Sequence, residues 1–218
     1  MVIYCTADLH LHLPEIPECD VLLIAGDIVD GFALQTLNQQ QLWMVTTFRK
    51  WLNRIPAKRV IFTPGNHDFI YQATPEAEWP KLRMEVLIDQ ALTLETDGGP
   101  IKVYGTPWQI RHGDWAFNYP KDAMNDIWKK IPDDTNILLC HQPPGGICDV
   151  GGRGDHLGCF LLTKRIEEIK PKLVVCGHIH PAYGEYPQKY GTLVVNAAYV
   201  GAGRDPKNKP VRVDYWLI

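Results

Sequence analysis

The chain has 218 residues, of which 45% are hydrophobic and 22% are charged, values that are typical of a folded globular protein. This composition excludes a disordered chain, because enough apolar surface is available to offset the conformational entropy that folding costs. The 22 basic and 25 acidic residues give a formal net charge of -3. The charge balance therefore gives no strong indication of binding to nucleic acid or to an anionic membrane.

Cysteine usage and the absence of long apolar runs indicate the compartment. No apolar run approaches the roughly 18 residues of a membrane span, and residues 1–8 lack the basic region of a signal peptide. Cys5, Cys140 and Cys176 lie inside apolar, strand-like runs, and the other three cysteines show no Cys-x-x-Cys spacing. Free buried cysteine behaves as a small hydrophobic residue. We therefore expect a reduced, cytoplasmic protein without a membrane segment.

Taken in chain order, five short apolar runs each end in a cluster of His, Asp, Asn or Gly residues. The runs and the residues that follow them are 2–7 before Asp8-Leu9-His10, 21–25 before Gly26-Asp27, 59–63 before Pro64-Gly65-Asn66-His67-Asp68, 137–140 before His141, and 173–176 before Gly177-His178-Ile179-His180. Short aliphatic and β-branched runs of this kind predict strands buried on both faces. Because α/β sheets bind ligands beyond the carboxyl ends of their strands, we expect the five clusters to converge.

The segments between these runs predict helices and hairpins. Helices are predicted over 41–55, where Leu42, Val45, Leu52 and Ile55 have helical spacing, and over 122–130 and 156–170. Hairpins are predicted to pair 92–95 with 101–104 and 184–186 with 192–196, and 211–218 to form a final strand. The pattern indicates two packed β-sheets with helices outside them, in a single domain over 1–218.

The polar clusters have the composition of a metal site. Asp8 and His10 are two residues apart, as are His178 and His180, so on an extended backbone each pair points to one side. The full set of candidate ligands is Asp8, His10, Asp27, Asn66, His141, His178 and His180. Carboxylate, amide and imidazole ligands suit Mn, Fe, Zn or Mg better than a soft metal. Seven ligands are too many for one catalytic ion, but they fit two ions about 3.5–4 Å apart that share a carboxylate.

These motifs, in this order, resemble those of the calcineurin-like metallophosphoesterases. They are Asp8-x-His10, Gly26-Asp27-x-x-Asp30, Gly65-Asn66-His67-Asp68, His141 and Gly177-His178-Ile179-His180. Further segments resemble the smaller group of metallophosphoesterase domain-containing proteins, or class III phosphodiesterases: Gly105-Thr106-Pro107-Trp108, Trp115-Ala116-Phe117-Asn118, His141-Gln142-Pro143-Pro144, Tyr183-Gly184 and Asn196-Ala197. The resemblance implies an α/β fold, a four-layer αββα sandwich with the site at its upper edge.

The resemblance also implies a role for each matching residue. Asp8, His10 and His180 would hold the first metal, Asp27 would bridge, and the second metal would be held by Asn66, His141 and His178. His67 would lie near the leaving-group oxygen as general acid, with Asp68 orienting it and raising its pKa. Asn66 would also be catalytic, stabilising charge on the equatorial phosphate oxygens together with the metals. The motif continues as Asp30-Gly31, without the arginine that many relatives carry there, which implies that one phosphate contact is missing.

Weaker signals leave alternatives open. His12 continues the alternation of Asp8 and His10 toward the site, whereas Asp30 either supports a ligating histidine by a hydrogen bond or is a polar surface residue. The glycine-rich segment 145–158 either brings Arg153 to a phosphate or forms a mobile loop. Four aromatic residues form either a wall for a nucleobase or packing beneath the second sheet: Trp108, Trp115, Phe117 and Tyr119. His112 is expected to be exposed.

The predicted function is a dinuclear metal-dependent phosphoesterase that hydrolyses small or nucleotide-type phosphodiesters, including cyclic nucleotides, by attack of a metal-bridging hydroxide. Two divalent ions are expected as cofactors, with Mn favoured and Fe, Zn, Ni, Co or Mg as alternatives. A small phosphate ester is the expected partner. The alternatives are a phosphomonoesterase acting on protein or nucleotide, a nuclease, and a scaffold that has lost catalysis. The filled ligand positions argue against the scaffold.

Overall fold

Thirteen β-strands and five α-helices make up the fold in the computed structural model, which describes residues 1–218. In chain order the strands are β1 (Val2–Thr6), β2 (Cys19–Ala25), β3 (Ala57–Thr63), β4 (Glu85–Val86), β5 (Gln90–Leu94), β6 (Ile101–Thr106), β7 (Gln109–Ile110), β8 (Asn118–Tyr119), β9 (Ile137–Cys140), β10 (Leu173–Cys176), β11 (Gly184–Pro187), β12 (Leu193–Asn196) and β13 (Val211–Asp214). The helices are α1 (Leu37–Trp43), α2 (Arg49–Arg54), α3 (Ile70–Ala73), α4 (Met124–Trp128) and α5 (Phe160–Ile169).

The strands form two large mixed sheets and one small pair. The first sheet has the order β13-β1-β2-β3-β4 and the second β11-β12-β10-β9-β6-β5, while β7 pairs with β8 alone. The pairs β1–β2 and β2–β3 are parallel, as are β6–β9, β9–β10 and β10–β12. The central strands of both sheets therefore run the same way as their neighbours, which brings their carboxyl ends to common edges.

Three apolar clusters show how the sheets and helices are layered. The largest lies between the two sheets and combines side chains such as Ile3 and Leu23 of the first sheet with Val103 and Leu139 of the second. A second cluster packs the helices after Thr36 on the outer face of the first sheet. A third packs α4 and α5 on the outer face of the second sheet. The order helix, sheet, sheet, helix confirms the expected αββα sandwich.

The first helical segment differs in detail from its prediction. It begins at Leu37 rather than residue 41, because Thr36 and Gln39 form a capping box. A π-helical stretch, Met44–Phe48, joins α1 to α2 and rotates the buried face. As a result Leu42, which has helical spacing with the core residues of this segment, is 63% exposed.

Both predicted hairpins are present, and three predicted elements are shorter than expected. β5 pairs antiparallel with β6, and β11 with β12. Of the segment 122–130, only Met124–Trp128 is α-helical, after a 3-10 turn. The predicted helix over 156–170 begins at Phe160 because His156 is held in a β-bridge with Val150. The last strand ends at Asp214, followed by a 3-10 turn. None of the helices combines the length and apolarity that crossing a membrane requires.

Candidate metal centre

Five strand ends, those of β1, β2, β3, β9 and β10, place the predicted ligands at one edge of the sandwich. The loops are joined by backbone hydrogen bonds: Asp8 donates its N–H to the Gly26 carbonyl (2.9 Å), and His10 donates to the Asp27 carbonyl (3.0 Å). Asp8, His10 and Asp27 have φ values of 50°, 41° and 56°, and His178 has 68°. The expectation of extended Asp-x-His and His-x-His segments is therefore wrong. After β1, β2 and β10 the ligands converge because the chain turns through left-handed conformations.

A first group brings together Asp8, His10 and His180. Nε2 of His180 lies 3.2 Å from Oδ1 of Asp8 and 3.3 Å from Nε2 of His10. The Asp8 carboxylate also accepts the backbone N–H of His178, at 2.9 Å to Oδ2. Asp8 and His10 are buried, and the three ligand atoms lie close enough together to hold one ion.

A second group is centred on the side-chain oxygen of Asn66. Oδ1 of Asn66 lies 3.0 Å from Nε2 of His141 and 2.9 Å from Nδ1 of His178. Nε2 of His141 and the carboxylates of Asp8 and Asp27 form a further triplet of metal-ligand atoms.

Asp27 lies between the two groups. Its Oδ2 atom is 3.4 Å from Nε2 of His141 and 3.8 Å from Nε2 of His10. Its other oxygen accepts the backbone N–H of His67 at 2.8 Å. Burial disfavours the ionised carboxylate, but the neighbouring histidines, His141 first among them, hold the pKa of Asp27 well below its usual value. One carboxylate therefore faces both groups.

Backbone carbonyls fix the orientation of two of the histidines. Nδ1 of His141 donates to the Ala25 carbonyl (2.8 Å), and Nδ1 of His180 donates to the Gly201 carbonyl (3.1 Å). Each ring thus turns Nε2 toward the other ligands, and this is how proteins select the nitrogen that binds a metal.

The spacing of the ligand atoms fits divalent ions. Ligands about 2.1 Å from an ion and at right angles to one another are about 3.0 Å apart, which matches the 2.9–3.3 Å separations within the two groups. Burial disfavours a charged ring, yet Asp27 and Asp8 raise the pKa of His141 to about 9. The oxygen atoms of Asp27 and Asn66 around Nε2 of His141 thus stabilise positive charge at this point. A bound cation would provide that charge.

The comparison with known proteins identifies the family of the chain. The sequence model of the calcineurin-like phosphoesterases matches residues 1–182. The chain belongs to this family. It is 31% identical over 193 residues to probable rhamnogalacturonate lyase C of Emericella nidulans, covering 84% of this chain and 17% of that protein. It is 29% identical over 236 residues to human metallophosphoesterase domain-containing protein 1, covering 96% of this chain and 69% of that protein.

A solved structure shares the fold. GAP50, the anchor in the inner membrane complex of Plasmodium, superposes with a TM-score of 0.56 at 12% identity, covering 97% of this chain and 76% of that one. The His/Asp cluster offers the ligand atoms that a metal-dependent member of this family would need.

His67, the residue that the family resemblance proposes as general acid, lies at the edge of the cluster. Its Nε2 atom is 4.0 Å from Oδ2 of Asp27, and its ring packs against Trp115 with 4.2 Å between ring centroids. Nδ1 accepts the Gly31 N–H at 2.8 Å, so in the neutral ring the proton is on Nε2 and points toward the centre. Burial lowers the pKa of His67, more than the nearby Asp27 raises it.

Asp68 has different hydrogen-bond partners from the one expected for it. Its buried carboxylate makes no hydrogen bond to His67 and instead accepts backbone N–H groups from Asp27 (2.7 Å), Gly65 (2.7 Å) and Val29 (3.2 Å). Burial and the charge of Asp27 raise the pKa of Asp68 to about 7. The expectation that Asp68 orients His67 is therefore wrong, because the backbone of Gly31 holds the ring and Asp68 joins two ligand loops.

Arg204 is a site residue that the motifs did not indicate. Its Nη1 atom donates to Oδ2 of Asp30 (2.7 Å), and its Nη2 atom lies 3.3 Å from Nε2 of His67. Asp30 thus pairs with Arg204, while Nδ1 of His10 is 3.8 Å from it, too far for the expected hydrogen bond. The only signal in the sequence was an arginine in the Gly201–Asp205 turn, which carries no pattern of its own.

Of the remaining candidates from the sequence, only Trp115 contacts a residue of the site. Arg153 and His112 are exposed, and Arg153 makes no hydrogen bond or ion pair. His12 is half-buried and makes no side-chain hydrogen bond. Of the four aromatic residues, only Trp115 packs against His67. The other three, Trp108, Phe117 and Tyr119, pack with one another. Sequence reasoning missed Phe32, which is 61% exposed and contacts Trp115 edge to face.

Proposed function

We propose that this chain is a dinuclear metal-dependent phosphodiesterase, with two manganese ions, acting on small or nucleotide-type phosphodiesters that include cyclic nucleotides. The observation that carries the proposal is the convergence of two ligand groups on one carboxylate, that of Asp27, with Nε2 of a further histidine, His67, 4.0 Å from its Oδ2 atom. The proposal includes a single catalytic domain over 1–218. The six free, buried cysteines support a reducing, cytoplasmic location.

The ligand roles follow the two groups. Asp8, His10 and His180 would hold one ion, Asn66, His141 and His178 would hold the other, and the carboxylate of Asp27 would be shared between them. When bound, the two ions supply an activated water for in-line attack and offset charge on the phosphate oxygens.

The protein's own contribution to bond cleavage lies at His67. Its Nε2 proton faces the centre because the Gly31 N–H occupies Nδ1. As general acid, His67 would give the Nε2 proton of its protonated, imidazolium form to the departing oxygen and return to a neutral ring; such catalysis is typically worth about 10²–10⁴-fold. Asp68 does not take part in proton transfer in this proposal. Its carboxylate accepts the backbone N–H groups of Asp27 and Gly65 and so holds two ligand loops together.

Two features support a diester with an aromatic or nucleoside substituent. Arg204 is the one arginine or lysine side chain that lies beside the site, paired with Asp30 and 3.3 Å from Nε2 of His67, and a singly charged diester needs fewer cations than a doubly charged monoester. Phe32 and Trp115 present aromatic surface beside His67, where a planar group could stack.

The test compares three substrates after the metals are removed by a chelator and Mn²⁺ is returned. These are bis-p-nitrophenyl phosphate, p-nitrophenyl phosphate and a cyclic nucleotide. We expect diester hydrolysis to return with two ions per chain and to exceed monoester hydrolysis. His67→Ala should lose about 10²–10⁴-fold on the cyclic nucleotide, and less on the nitrophenyl diester, whose leaving group needs no proton. His112→Ala is the matched control.

Other results would replace the proposal. Faster hydrolysis of the monoester would make the chain a phosphomonoesterase. Absence of stoichiometric metal together with inactivity in added Mn²⁺ would make it a scaffold.

A further inference from the structure

The turn before β13 delivers Arg204 to the edge of the metal centre. The turn is closed by a β-bridge between Val200 and Pro206, and the Arg204 N–H donates to the Gly201 carbonyl (2.9 Å). Arg204 has a φ of 61°, a left-handed conformation that is unfavourable for a non-glycine residue. The Gly201 carbonyl also accepts Nδ1–H of His180. One short turn thus contacts a metal ligand and supplies a guanidinium.

Two contacts fix the guanidinium in place. Nη1 of Arg204 pairs with Asp30 at 2.7 Å, and the group lies 4.5 Å from the centroid of the Phe32 ring. An ion pair on one edge and an aromatic ring against its face leave Arg204 little rotational freedom. Asp30 belongs to the Gly26-Asp27-x-x-Asp30 motif that follows β2. This motif has no arginine of its own, but its Asp30 binds Arg204 from a distant part of the chain.

The third contact places two donors opposite each other. Nη2 of Arg204 lies 3.3 Å from Nε2 of His67. A guanidinium has no acceptor, and Nε2 carries the ring proton because Nδ1 accepts the Gly31 N–H. Neither group satisfies the other, whereas an anionic oxygen next to both nitrogens would accept from both. Charge-assisted hydrogen bonds of this kind are about twice as strong as neutral ones.

We infer that Arg204 is a substrate-binding residue, whose Nη2 atom and Nε2 of His67 bind the same oxygen on the leaving-group side of the phosphate. The inference rests on the proposed function and deepens it. Arg204 contacts the substrate, and Asp30 is a positioning residue that acts through Arg204. The ligand class is a phosphate ester anion, for which inorganic phosphate serves as the probe.

The experiment measures binding of inorganic phosphate to the manganese-loaded protein by calorimetry, beside manganese content by mass spectrometry. The variant is Arg204→Met, and the matched control is Arg153→Met, an exposed arginine without hydrogen bonds. We expect Arg204→Met to bind phosphate about 10- to 100-fold more weakly, with two manganese ions retained. Arg204→Lys should recover only part of the loss, because an ammonium cannot keep the forked geometry.

The positioning role of Asp30 has its own readout. Asp30→Asn should weaken phosphate binding with manganese retained, and Asp30→Asn combined with Arg204→Met should be no worse than Arg204→Met alone. Additive losses would show that Asp30 acts independently of Arg204 and would overturn that assignment.

Failure of the inference is distinguishable from failure of the proposed function. A wild-type protein that binds manganese and phosphate but hydrolyses no ester removes the proposed function, and the phosphate comparison still supports or overturns the role of Arg204. Phosphate binding by Arg204→Met equal to that of Arg153→Met would overturn the inference. So would loss of manganese in Arg204→Met, since Arg204 would then act on the metal centre through the Gly201 turn.

Discussion

Replacing Asp68 tests whether this buried carboxylate stabilises the loops or acts on His67. In Asp68→Ala, the N–H groups of Asp27, Gly65 and Val29 lose their acceptor. A buried donor left unpaired costs about 1–3 kcal/mol, so we expect a total loss of about 3–6 kcal/mol, allowing for a water molecule that enters the vacated space. The free energy of unfolding of a whole domain is roughly 5–15 kcal/mol, so this loss is a large part of the total stability.

The isosteric variant sharpens the test. The two shortest bonds, from Asp27 and Gly65, both end on Oδ2 of Asp68, and Val29 donates to Oδ1 at 3.2 Å. Asp68→Asn can place its one remaining oxygen at the Oδ2 position and lose only the Val29 bond. We therefore expect Asn to cost about 1–2 kcal/mol.

The assay is thermal unfolding of the metal-free protein, followed by Mn²⁺ titration. For a chain of this size each kcal/mol lowers Tm by about 2–4 °C, so the Tm of Asp68→Ala should fall by about 6–24 °C, and the variant should bind Mn²⁺ more weakly. His67→Ala is the control, with activity lost and Tm changed far less. An Asp68→Ala protein that unfolds like the wild type but shares the kinetic defect of His67→Ala would refute the loop assignment.

Three further outcomes are expected. Gly65→Ala should abolish stoichiometric Mn²⁺ binding in metal analysis, because its Cβ would lie 2.3 Å from Oδ1 of Asp27; retained binding would show that the loop can yield. Trp115→Ala should lower kcat on a cyclic nucleotide about 10-fold with metal content unchanged, since the ring supports His67, whereas the exposed Trp216→Ala should not. Chelation should lower Tm by about 5–10 °C for each site that Mn²⁺ would fill at a hundred times its Kd, and returned Mn²⁺ should restore it.

The sequence predicts the sandwich because strand periodicity and helix signals are local properties. Two buried sheets follow from apolar runs such as those of β2 and β9, and the helices follow from the helical spacing of apolar residues. The errors are equally physical. The π-helical stretch Met44–Phe48 buries Met44 and Phe48, and the late start of α5 follows from the bridge at His156. Tertiary contacts decide such boundaries, and a propensity pattern does not contain them.

The candidate ligands are predictable as a set, but their backbone geometry is not. Residue types at strand ends identify Asp8 or His178 as candidates, while the left-handed turns that aim them depend on close approach of the loops. Gly26 shows this dependence: it has a φ of 90°, and a Cβ there would lie 2.3 Å from Nδ1 of His141. The close approach of His141 therefore requires glycine at position 26. The sequence shows this glycine beside Asp27 but not the contact that requires it.

Arg204 differs from the candidate metal ligands in how its position in the fold is determined. Parallel strands must end together, so any ligand placed directly after a strand arrives at the same edge, and the motif order is enough to find it. A substrate contact has no such constraint, because a loop from any part of the chain can reach the rim. Asp30 lies in a motif and Arg204 lies 174 residues later; only folding joins them. Within one family, substrate selection can therefore change through such loops while the ligand set stays as the strands place it.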